Sequence, residues 1–161
     1  MMLSTKGRYA VMAMVDLATQ PVPKPVALAA IAERQEIPLA YLEQIFAKLK
    51  RKDIVASVRG PGGGYTLTKA AEKTSIAEII LAAEEDLTVM RCEGEEGAGC
   101  MKSTKARCLT HDLWEGLERQ IEHYLQSLSL ADVAHRKVTE KFPRGIMFAE
   151  FVSEPGNSEH A

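Results

Sequence analysis

The residues with most chemistry to offer fall in one window: Cys92, seven residues, Cys100, seven residues, Cys108, two residues, His111. Three thiols and one imidazole within 20 positions make a complete four-donor set for zinc or an iron–sulfur centre, the metals that thiolate and imidazole ligands select. Gly94, Gly97 and Gly99 let the intervening chain wrap an ion or cluster, and Arg91, Lys102, Lys105 and Arg107 would offset the negative charge of coordinated thiolates. His123, His135 and His160 have no thiol beside them and read as ordinary surface residues. The chain has 3 cysteines, and an odd number without a secretion signal speaks against a disulfide framework. Reduced thiols in a cytoplasmic protein are the expectation.

A second constellation suits nucleic acid. Between Pro38 and Lys52, the residues Leu42, Ile45, Phe46 and Leu49 recur at helical spacing as a buried stripe. Tyr41, Glu43, Gln44, Lys48, Lys50, Arg51 and Lys52 are left for the outer, mostly basic face. Gln44 can pair with an adenine edge, Tyr41 can reach base or phosphate, and Lys48 and Arg51 can neutralise backbone charge. Glu43 repels phosphate unless it accepts from a cytosine amino group, so it would select sequence rather than add affinity. Arg59 precedes a glycine-rich turn, Gly60-Pro61-Gly62-Gly63-Gly64, where a guanidinium can enter a narrow minor groove and Gly60 and Gly62 allow close approach of backbone to phosphate. No Gly-Lys-Ser/Thr follows and the glycines do not complete a dinucleotide fingerprint, so a nucleotide phosphate loop is excluded.

The elements that must position these residues can be read in order. Apolar positions Val11, Met14, Val15 and Leu17 predict a helix over 3–19 that the prolines from Pro21 to Pro25 end. Leu28, Ile31 and Ala32 predict a short helix over 27–35, and Pro38 suits the first turn of the next. Residues 54–59 and 65–68 read as two strands joined by the glycine turn. Ser75-Ile76-Ala77-Glu78 has capping-box spacing and opens a helix to about Ala83. From Thr110 a long helix carries Leu113, Trp114, Leu117, Ile121, Tyr124, Leu125 and Leu128, and residues 129–138 read as a short helical piece. Two short helices, a polar-faced helix and a glycine-tipped hairpin are the order of a winged helix-turn-helix. The expected fold class is mainly α with a small β-hairpin, a winged head plus a long dimerisation helix. The expected organisation is a DNA-binding domain over 1–83, a cluster-binding loop over 84–109, a dimerisation region over 110–140 and a tail over 141–161.

Composition bounds the alternatives. The 161 residues are 46% hydrophobic and 26% charged, with a net charge of -2, enough for one compact domain with an extension. Charged residues break every candidate membrane span. Lys6 and Arg8 before the apolar run from Tyr9 to Val15 imitate a signal peptide, but Asp16 cuts the run short. Residues 1–70 hold 10 Lys/Arg against 5 Asp/Glu, and residues 71–161 hold 10 against 17, so the basic half is the one that would meet a polyanion. No paired acid and base or second catalytic constellation is present, and an enzyme is not expected.

The chain resembles the iron–sulfur cluster regulators of the Rrf2 family of bacterial winged-helix transcription factors over residues 1 to about 135. The resemblance rests on Ser4-Thr5-Lys6-Gly7-Arg8-Tyr9-Ala10-Val11, Tyr41-Leu42-Glu43-Gln44, Val58-Arg59-Gly60-Pro61-Gly62-Gly63-Gly64-Tyr65, and Arg91-Cys92 through Cys108-Leu109-Thr110-His111. It implies a homodimer on palindromic duplex DNA, with a two-iron, two-sulfur (2Fe-2S) cluster whose ligands by position are Cys92, Cys100, Cys108 and His111. It also implies control of iron–sulfur biogenesis genes, with Tyr41, Glu43, Gln44 and Arg59 where the family reads DNA. Two positions depart from the pattern: the cysteine intervals are longer, and Ala40 stands where members often carry serine. The alternatives left open are a cluster-free thiol or nitric-oxide sensor and a zinc-responsive repressor on the same fold.

Overall fold

A computed structural model of the chain describes residues 5–21, 24–83 and 108–142. The head is built around α1 (Thr5–Thr19), which packs on α2 (Leu28–Gln35), α3 (Leu39–Arg51), α4 (Ile76–Ala82) and α6 (Leu130–Ala134). Ala10, Ala13, Met14 and Leu17 turn its apolar face inward to meet Ile31, Leu42, Ile45, Phe46, Leu49, Ile79 and Ile80. The stripe expected of α3 is the one observed: its four apolar residues are all buried. Pro38 stands just ahead of α3 rather than within its first turn, and its carbonyl accepts from the Tyr41 and Leu42 amides.

Between α2 and α3 the chain reverses through Glu36, whose backbone is left-handed at φ 53, and the amides of Glu36 and Ile37 both reach the Ala32 carbonyl. A side chain at positive φ is sterically disfavoured. The turn is held instead by Ile37, buried at 3% exposure.

After α3 the chain forms β1 (Val55–Val58) and β2 (Gly64–Leu67), an antiparallel pair with Val55 opposite Leu67 and Val58 opposite Gly64. Pro61 and Gly62 (φ 75) occupy the centre of a turn closed by the Gly63 amide on the Gly60 carbonyl at 2.9 Å, the type II arrangement that wants proline then glycine. A third rung comes from Val26, which exchanges two backbone hydrogen bonds with Tyr65, at 2.9 and 2.8 Å. That rung explains Gly64, because a Cβ there would press into the Val26 carbonyl. Gly64→Ala is expected to cost about 1–2 kcal/mol by overpacking, read as a lower denaturant midpoint with an unchanged slope.

A 3-10 turn (Ala71–Lys73) leads into α4, whose capping box is formed as its spacing predicts: Ser75 Oγ accepts from the Glu78 amide at 3.1 Å and the Glu78 carboxylate accepts from the Ser75 amide at 3.0 Å. The long helix is α5 (His111–Ser127), followed by α6 and a final turn, α7 (Val138–Lys141). Two findings go beyond the sequence reading of this half. Leu128 is not part of the α5 stripe: it lies past the helix end, 4% exposed, in the head's core with Leu130. An antiparallel bridge pairs Ser75 with Ser129, through Ile76 N–H to the Leu128 carbonyl at 2.9 Å and Leu130 N–H to the Thr74 carbonyl at 2.8 Å. Ser129 and Asp132 form a second capping box, so each bridged serine is also the cap of a helix.

Candidate nucleic-acid interface and thiolate–imidazole site

The two strands of the hairpin and α3 are joined side chain to side chain. The Phe46 and Tyr65 rings meet edge to face at 4.9 Å, and Lys50 Nζ donates to Ser57 Oγ at 2.6 Å. Lys50, placed from sequence on the basic outer face of this helix, therefore also ties the end of α3 to β1. These contacts present the outer face of α3 and the hairpin tip as one body.

On that face Ala40, Glu43, Gln44, Ala47 and Arg51 are all exposed. Their offsets of three, four, seven and eleven place them along one side of the helix. Lys48 is half-buried beside them, and Lys48, Lys50 and Arg51 occupy the last turn of α3, where cations meet the negative end of the helix dipole. Tyr41 is also half-buried, with its ring edge-on to Tyr9 of α1 at 5.6 Å, so it packs as well as faces outward. Arg59, Gly60 and Gly62 are exposed at the hairpin tip, with Gly60 at φ 100. The eight residues named from sequence for nucleic-acid contact thus fall on two adjoining surfaces, α3 and the tip.

The second candidate site is described in part, since Cys92 and Cys100 lie outside the described residues. Cys108 is half-exposed and free of any disulfide, its carbonyl accepts from the His111 amide at 3.1 Å, and its Sγ lies 3.6 Å from Thr110 Oγ1. The thiol and the imidazole are held on the turn that opens α5. The His111 ring nitrogen, Asp112 and Glu115 carboxylates lie within 4.8 Å of one another. This grouping was missed in the sequence, although one helical turn separates His111 from Glu115 and the spacing alone could have revealed it.

Another group that sequence reading missed lies between α1 and α2. Asp16, 5% exposed, accepts from Arg34 Nε at 3.2 and 3.0 Å, from Arg34 Nη2 at 2.6 Å and from Gln35 Nε2 at 2.8 Å. Burial pushes this carboxyl up, but the hydrogen bonds from Arg34 and Gln35 and the guanidinium charge outweigh it and hold the group below the usual carboxylate range. In sequence Asp16 was only the residue that interrupts an apolar run. The Glu78 carboxyl is also lowered, first by the Ser75 amide and then by Lys69, 2.9 Å away.

A three-helix head with a polar α3 face and a glycine-tipped hairpin defines a winged-helix, DNA-binding transcriptional regulator rather than an enzyme. Comparison with known proteins agrees: the sequence profile of the Rrf2 family, described as an iron-dependent transcriptional regulator, matches residues 3–136. The chain belongs to that family. It is 47% identical over 137 residues to the HTH-type transcriptional regulator IscR of Photorhabdus laumondii, an alignment covering 85% of this chain and 81% of that one. Among solved structures it is similar to T. potens IscR, with TM-score 0.67 and 32% identity, covering 92% of this chain and 96% of that one. It is likewise similar to CymR, the global cysteine regulator of B. subtilis, with TM-score 0.69 and 30% identity over 84% of this chain and 98% of that one. No helix among the described residues is long and apolar enough to cross a membrane.

Proposed function

We propose that this protein is a homodimeric regulator that reads palindromic duplex DNA with α3 and the hairpin wing and senses iron–sulfur cluster status through Cys92, Cys100, Cys108 and His111, controlling iron–sulfur biogenesis genes. The observation that carries the sensing part is the joint placement of Cys108 and His111 on the opening turn of α5. The donor set suits a 2Fe-2S cluster, since thiolates and a neutral imidazole are what its irons accept. A carboxylate within reach of the His111 ring, from Asp112 or Glu115, is the kind of partner that fixes the orientation of a metal-bound histidine. Bound there, such a cluster would supply reversible one-electron chemistry and sensitivity to oxidants and iron supply.

The long helix supports the dimer. None of the α5 residues is buried, and Leu113, Trp114, Leu117 and Tyr124 are 63, 43, 42 and 37% exposed. An apolar face of this length gains from cover, and a second copy provides it while setting two α3 helices about 34 Å apart, the spacing of successive major grooves.

An anaerobic absorption spectrum with iron and acid-labile sulfide analysis tests the sensing function. Visible sulfur-to-iron bands with about equal iron and sulfide are expected, and His111→Ala should shift or abolish them. A second reading, a thiol-responsive regulator without a cluster, draws on the similarity to a global cysteine regulator and on the half-exposed Cys108 thiol. A colourless protein after reconstitution, with oxidant-dependent DNA binding, would favour it.

A further inference from the structure

Two alanines occupy the middle of the face that α3 turns outward. At about 3.6 residues per turn, Ala40 and Ala47 lie within about 60° of Gln44 around the helix axis, and all three residues are exposed. Glu43 stands to one side of this strip and Tyr41 and Lys48 to the other, with Arg51 one turn beyond Ala47. The charged groups thus flank a centre made of two methyl groups and one carboxamide.

That centre has a chemical counterpart in the major groove. A carboxamide such as that of Gln44 pairs with the N6 and N7 edge of adenine, and thymine is the base whose edge there carries a methyl group. Alanine offers that methyl an apolar contact and is short enough to let the helix backbone approach the base edges. A longer polar side chain at either position would lose water against the methyl without gaining a partner. At a rise of about 1.5 Å per residue, Ala40 and Ala47 stand about 6 and 4.5 Å from Gln44 along the axis, on opposite sides of it. Those offsets correspond to about one to two base-pair steps of about 3.4 Å.

We infer that Ala40 and Ala47 are specificity-determining residues, each packing its methyl group on the C5-methyl of a thymine that lies about one to two base pairs from the adenine read by Gln44. The inference rests on the proposed entry of α3 into the major groove.

Replacing thymine by uracil tests this, because deoxyuridine keeps the O4 acceptor and lacks only the methyl. The full-length protein first enriches its preferred duplex from a random-sequence library. Each thymine is then replaced in turn, and affinity is measured against the unmodified and a scrambled duplex. Loss of the methyl at the two flanking positions is expected to weaken binding about fourfold each, the value of one methyl group leaving water. Ala40→Gly should make one of those positions indifferent to the methyl and leave the other sensitive, and Ala47→Gly should do the reverse. Affinity for scrambled duplex, held by phosphate contacts, checks that each variant keeps α3 folded, and the uracil scan of the wild type stands without either variant. An enriched site with no thymine at those positions, or one bound equally with and without every methyl, would overturn the inference and leave the DNA reading intact. A methyl effect unchanged in both glycine variants would also overturn it, by assigning the contact to another side chain. A protein that enriches no sequence would overturn the groove reading itself, and this inference with it.

Discussion

Replacing Arg34 by alanine is expected to cost the fold about 3 kcal/mol, at the low end of the range for breaking a buried ion pair, because Arg34 itself keeps 39% of its side chain exposed and is partly screened by solvent. The cost comes from what remains. Asp16, with 4% side-chain exposure, would keep a negative charge facing the contact of α1 with α2 and only Gln35 to satisfy it. Equilibrium unfolding in urea at neutral pH measures the loss. The pH dependence supplies a second signature. A carboxyl held below its ordinary value contributes stability above that value, about pH 4, and loses it as pH falls through the lower folded value. The wild type should therefore lose stability steeply below about pH 4, whereas Arg34→Ala should show a shallower acid limb. Equal slopes would mean that Asp16 is not the linked group.

Two substitutions on the DNA face are expected to separate specificity from affinity. Gln44→Ala should cost about 1–3 kcal/mol against the preferred operator and little against random duplex, since an amide that pairs with a base edge carries sequence information. Arg59→Ala should weaken binding to every duplex, lower the slope of log K against log salt by about 1, and reduce any preference for narrow A-tract minor grooves. Titrations of labelled operator and scrambled DNA at several salt concentrations resolve both. Identical behaviour of Arg59→Ala and wild type on all duplexes would remove the hairpin tip from the interface. Neither residue contributes to the core: both are exposed, so the fold should be unaffected within ~0.5 kcal/mol.

What was legible in the sequence was local. Leu42, Ile45, Phe46 and Leu49 share a period, Ser75 and Glu78 share a capping spacing, and the glycine tip announces its own turn, and all three appear as read. What escaped was set by partners distant in sequence. Asp16 finds its guanidinium 18 residues away and Val26 pairs with Tyr65 across the head, and neither segment carries a mark of it. Leu128 fits the period of α5 and was counted there, but the second capping box, Ser129 with Asp132, ends that helix and turns Leu128 inward. That box has the same three-residue spacing as the first, so it could have been found. The His111, Asp112 and Glu115 group was equally open to reading.

The bridge between Ser75 and Ser129 has a consequence for how the protein is made. Leu128 and Leu130 sit in the same core as Met14, Ile76 and Ile79, yet they are translated about 50 residues after α4 begins. At roughly 5–20 residues per second, that interval lasts several seconds on the ribosome. Over that delay the helices α1 to α4 precede the residues that complete their core. A synthesis arrested between Ala83 and Leu128 should therefore yield a chain sensitive to protease that the finished protein resists.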